Sequence, residues 1–177
     1  MPAQAHPLEQ FFYNEVTATF EGKLGLKDPE AIAYVAGVVC EFAGRDGLFA
    51  GPQHRGHSME ELIEMIQASD PVHGTAPSFD AERTMRKYIG DYALFAAGMT
   101  EERREGRQEA RTRRPRLAEL IRAGKESYFV VSQFNVFEYG KEAELFERLT
   151  EQFERFVLGL ALMREELSKH QTPARRG

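Results

Sequence analysis

The stretch Tyr88–Met99, YIGDYALFAAGM, restricts the possible folds of this chain more than any other, because its twelve residues carry one charge, Asp91. At about 100° per residue, Tyr88, Tyr92, Phe95 and Met99 share one helical face. Ile89, Ala93 and Ala96 adjoin that face, and Gly90, Leu94 and Ala97 cover the back. A helix apolar on all sides belongs in a core, and twelve residues are too few to cross a bilayer. The spacing therefore predicts a buried central helix with other helices packed around it. Glycine inside a helix costs about 1 kcal/mol against alanine, so Gly90 and Gly98 point to close helix approach. Asp91 is the exception. A buried carboxylate has to be hydrogen-bonded, paired or protonated. Lys87, one turn earlier, is the nearest charge, although in the less favourable order. The default reading of Asp91 is a group tying helices together; the sharper one is a polar group in a ligand pocket.

A chain of 177 residues is expected to fold as one domain, residues 1–177, with 1–6 and 170–177 disordered. The formal charge of −5 argues against nucleic acid or an anionic membrane as partner. The single Cys40 rules out an intramolecular disulfide and fits a reducing compartment. The start, MPAQAHPLEQFF, has no basic region followed by an apolar run, and no eighteen consecutive residues are apolar. A soluble, cytoplasmic protein is expected.

Leu8, Phe11, Phe12, Val16 and Phe20 recur at helical spacing from about Pro7 to Glu21. Asp28-Pro29-Glu30 has the pattern of an N-cap and first turn, and Ile32, Val35, Val39 and Phe42 form the stripe of the helix it opens. Cys40 reads as a small core residue. The glycine-rich segment 44–57 holds His54 and His57, and His73 lies in the next loop. These histidines are candidate metal ligands only if tertiary structure brings them together, since no metal-binding motif accompanies them. Ser58 and Glu61 have capping-box spacing before Leu62, Ile63, Met65 and Ile66. Asp80 is the expected N-cap of the central helix.

Residues 101–116 contain seven arginines against four glutamates in an otherwise acidic chain. A site for phosphate or an acidic partner is one reading. The intermixed signs and the lack of interleaved aromatics favour a solvated connector. From about Arg116 to Phe137, Leu117, Leu120, Ile121, Gly124, Tyr128 and Val131 lie on one stripe. YFVVSQFNVF has strand-like composition but no partner strand, so a helix is expected there. The last helix, Lys141–Ser168, has the strongest pattern. Leu145, Leu149, Phe153, Phe156, Leu160, Met163 and Leu167 recur at spacings of 4, 4, 3, 4, 3 and 4. It is expected to span about 40 Å.

Ile89-Gly90-Asp91-Tyr92-Ala93-Leu94-Phe95-Ala96-Ala97-Gly98, followed by Gly124-Lys125-Glu126-Ser127-Tyr128, resembles a family of uncharacterised bacterial helical proteins. Its members pair a G-D/E-x-A-L-F-x-x-G helix with a later G-K-x-S/A-Y helix, and Ala33-Tyr34-Val35 is similar to their first helix. The likeness spans roughly 29–167, with Met99 where relatives often have Phe. It implies a helical fold and no assigned activity. If the two motifs face each other, Asp91, Tyr92, Lys125, Ser127 and Tyr128 form one polar cluster.

The expected architecture is an all-α, single-domain bundle of about six helices with the central helix buried and a long C-terminal helix. The leading functional expectation is a non-catalytic binding or interaction module, with a homodimer through the terminal helix as one form. The first alternative is a small-molecule or cofactor site lined by Tyr88, Asp91, Tyr92, Phe95, Lys125, Ser127 and Tyr128. The second is a metal-dependent enzyme using His54, His57 and His73. No motif names a cofactor, a nucleophile or a nucleotide.

Overall fold

Asp28 accepts the Ala31 amide on its side chain at 3.1 Å and the Ile32 amide on its backbone carbonyl, which is N-cap geometry. The helix so started, α2 (Pro29–Asp46), follows α1 (Pro7–Leu24). Between them Gly25 adopts φ 63°, in the left-handed region that suits glycine, and the Leu26 amide turns back onto the Phe20 carbonyl at 2.9 Å. The structure is a computed structural model and describes residues 7–46, 56–100, 113–136 and 139–171. Five further helices follow: α3 (Met59–Ala68), α4 (Phe79–Met99), α5 (Leu117–Ser132), α6 (Gly140–Glu151) and α7 (Phe153–Gln171). Among the described residues there are seven helices and no strand.

Helix α4 packs along α5 and α7 and also meets α2 and α3; α1 lies against α2 and α7, and α5 pairs with α6. Every residue from Ile89 to Met99 is buried, so the central helix is where its composition puts it. Tyr88, at the edge of that stretch, stays partly exposed with its hydroxyl at the surface group described below. The capping box at Ser58 forms as its spacing predicts.

The structure corrects three expectations. The cap of α4 is Ser78, whose Oγ accepts the Ala81 amide at 3.1 Å; Asp80 lies within the first turn and accepts the Tyr139 hydroxyl instead. Helix α5 ends at Ser132 rather than near Phe137. There the Ser132 hydroxyl donates to the Phe129 carbonyl, and the Gln133 and Phe134 amides make tighter i−3 bonds.

The long terminal helix is two. It breaks at Gln152, whose φ −109° and ψ 19° leave the helical region. Just before the break, the Thr150 hydroxyl bonds the Phe146 carbonyl at 2.7 Å, a back-bond that bends helices. The bend lets α6 follow α5 while α7 turns onto α4 and α1. The seam of Leu145, Leu149, Phe153, Phe156, Leu160 and Met163 stays buried across it.

Not every helical glycine has a packing duty; Gly22, Gly37 and Gly44 each have open space where a Cβ would stand. Gly37 lies on the exposed face of α2, and nothing lies within 4 Å of where its Cβ would be. Gly37→Ala should raise stability by up to about 1 kcal/mol through helix propensity alone. A lowered thermal midpoint would show that the site is tighter than this.

Candidate functional site

Asp91 is 5% exposed and sits where α2, α4 and α5 converge. Its Oδ1 accepts the hydroxyls of Tyr34 at 2.6 Å and Tyr128 at 2.7 Å, and Lys87 Nζ stands 3.8 Å from Oδ2. Gly90 makes this possible. With no side chain there, the Tyr128 ring comes close against the α4 backbone, edge-on to Tyr34, Phe146 and Phe153. Hydroxyl-to-carboxylate bonds this short are of the charge-assisted kind. Burial nevertheless outweighs them. Loss of hydration pushes the Asp91 carboxyl up to about 6, against the two tyrosines and Lys87, which favour the charged form. The same burial, with the Asp91 charge added, raises both phenols well above their ordinary range. Chemically this is a closed centre: both phenols are spent on one oxygen.

A second group lies on the neighbouring face of α4. Gly56, at φ 57°, brings the chain so close to Tyr92 that a Cβ would lie 2.7 Å from its hydroxyl. The His57 amide donates to Tyr92 Oη at 2.8 Å, and the imidazole meets the Tyr92 ring edge-on at 4.6 Å. Glu61 Oε2 is 3.1 Å from His57 Nδ1, and Tyr88 Oη is 2.9 Å from Nε2. A carboxylate at Nδ1 holds the proton there, leaving Nε2 as the acceptor of the Tyr88 hydroxyl in the neutral ring. Glu61, His57 and Tyr88 thus form a carboxylate–imidazole–phenol relay on the surface.

The seven residues expected at a ligand site separate. Asp91 and Tyr128 meet; Tyr88 and Tyr92 belong to the His57 group; Phe95 stacks on Phe42 at 5.4 Å. Ser127 is buried beside Arg86, Nη1 at 3.4 Å, and Lys125 pairs with Glu154 at 2.7 Å on the outside. Ser127 leaves the expected cluster because it is turned about 100° from Tyr128 on α5 and faces Arg86, while Lys125, one turn before Tyr128, extends outward to Glu154. Tyr34 takes their place. Its pairing with Asp91 spans 57 residues, so no local spacing could reveal it; its place just off the α2 stripe was the one visible sign.

His54 lies outside the described residues, as do the terminal residues 1–6 and 172–177 and the arginine-rich stretch 101–112. His57 has both ring nitrogens engaged, and His73 is exposed on the turn capped by Asp70. Among the described residues no group of three or more His, Cys, Asp or Glu could hold a metal ion. Arg113 forks onto Glu119 at 2.6 and 2.8 Å, which holds that carboxyl down at about 2. Cys40 is partly buried, and burial pushes its thiol up.

The fold and its centre define an all-α bundle whose helices are joined by a buried carboxylate–phenol group. No described helix is long and apolar enough to cross a membrane. The chain matches no protein-family model, no curated protein and no solved structure.

Proposed function

We propose that this chain is a non-catalytic helical interaction module that pairs with a second copy of itself through the end of the bundle where α4 begins. The observation that carries the reading is the exposure there of three large apolar side chains: Val72 at 71%, Phe79 at 64% and Val136 at 57%. Phe79 is the first residue of α4. Val136 sits in the turn that leads to Tyr139, whose hydroxyl reaches Asp80, and Val72 follows Asp70, whose charge acts on Glu82. Exposed apolar surface marks interaction sites, and a two-fold contact places the same surface of both copies against each other. The terminal helix is less suited to pairing, because its apolar seam is consumed inside the bundle. A ligand at Asp91 would have to displace two phenols from a filled core, which favours the structural reading of that carboxylate. A bacterial source, on the motif resemblance, and a cytoplasmic location, on the single cysteine, are part of the same proposal.

Light scattering on the eluting protein at rising concentration should give a mass approaching twice the 20.1 kDa of the chain. Phe79→Asp should return it to the single-chain mass with unchanged helical content. A single-chain mass for the unaltered protein at several hundred micromolar removes the reading.

A further inference from the structure

We propose that Tyr88 is an activated phenol, and that Glu61 and His57 prepare its hydroxyl to accept an acyl group from an activated acyl donor. The geometry has the two links that such activation needs. The attacking hydroxyl is bonded to a base, Tyr88 Oη to His57 Nε2 at 2.9 Å, and the base is oriented by a third group, Glu61 at 3.1 Å from Nδ1. The relay is also held in place. Tyr92 fixes the His57 main chain through its amide, Gly56 permits the close approach, and Glu61 is itself fixed by the Ser58 amide at 3.2 Å. Unlike Tyr128, Tyr88 is reachable, being 36% exposed. The Glu61 carboxylate beside the imidazole disfavours an anionic phosphoryl donor, whose transfer calls for cationic partners, and leaves a neutral carbonyl as the fitting electrophile.

The step balances without a further reagent. Tyr88 Oη attacks the carbonyl carbon as His57 Nε2 takes the phenolic proton. The new O–C bond forms, the bond to the leaving group breaks, and the leaving group takes the proton back from Nε2. The product is an ester of Tyr88, with no net change at His57.

Tyr13, on α1, is a control within the same molecule, because its exposure of 39% matches that of Tyr88. With N-acetylimidazole as donor and peptide mass spectrometry as readout, Tyr88 should acetylate roughly 10-fold or more faster than Tyr13, a modest share of what a positioned base supplies. His57→Gln should bring the Tyr88 rate down to that of Tyr13, and Glu61→Gln should lower it in part. Equal rates at the two tyrosines in the unaltered protein would overturn the proposal, with no variant needed. So would a Tyr88 rate that His57→Gln leaves unchanged in a protein of unaltered helical content.

Discussion

Asp91→Asn is expected to remove a pH dependence from the stability of this protein and to leave the fold intact. The Asp91 carboxyl is raised from 3.8 to about 6 in the folded state, so between those pH values the folded chain binds a proton that the unfolded chain has released. The contribution of this group is therefore fully present below about pH 4 and is lost as the pH rises through about 6. The size of the shift corresponds to roughly 3 kcal/mol. Other carboxyls run the opposite way. Glu119, held down at about 2, and Asp28, lowered by Arg148, contribute stability above the ordinary carboxylate range and lose it in acid. The raw pH curve is thus a mixture, and the difference between the two proteins isolates Asp91. Asparagine can still accept both tyrosine hydroxyls on its carbonyl oxygen and carries no charge to desolvate. Urea midpoints from pH 4 to 7.5 should show the variant gaining on the parent by most of that amount. Parallel curves would mean that Asp91 is not the buried acid the geometry makes it.

Gly90→Ala should cost about 2–3 kcal/mol, although alanine is the better helix former by about 1 kcal/mol. A Cβ at this position would overlap Cδ1 and Cε1 of the Tyr128 ring. The ring cannot retreat: it is fully buried, packed edge-on to Phe146 and Phe153, and held by its hydroxyl to Asp91. Either α4 and α5 separate or the Tyr128–Asp91 bond breaks, and each outcome loosens the junction of three helices. Thermal unfolding should show a fall of several degrees, in contrast to the rise expected for Gly37→Ala. If Gly90→Ala also weakens the pH dependence assigned to Asp91, the bond is the part that gave way. A stability equal to or above that of the parent would show that the ring has room that the packing denies it.

Much of this architecture is legible in one dimension. The burial of residues 89–99, the Asp28 and Ser58 caps and the apolar seam from Leu145 to Met163 follow from periodicity and from side chains bonding amides within one turn. The cost of a buried carboxylate also required that Asp91 find polar partners. Which partners it finds is a different matter. Tyr34 and Tyr128 reach it from helices 57 and 37 residues away, while Ser127, next to Tyr128 in the chain, faces Arg86. One residue along a helix turns a side chain by about 100°, so neighbours in sequence serve different interfaces. The break at Gln152 arose in the same way, because α6 and α7 pack on different helices and no glycine or proline marks the bend. Composition and periodicity alone thus determined that this chain makes buried helices around one acid. Only the crossing of those helices decided which phenols hold that acid, and that His57, read from its loop as a candidate metal ligand, stands between Glu61 and Tyr88.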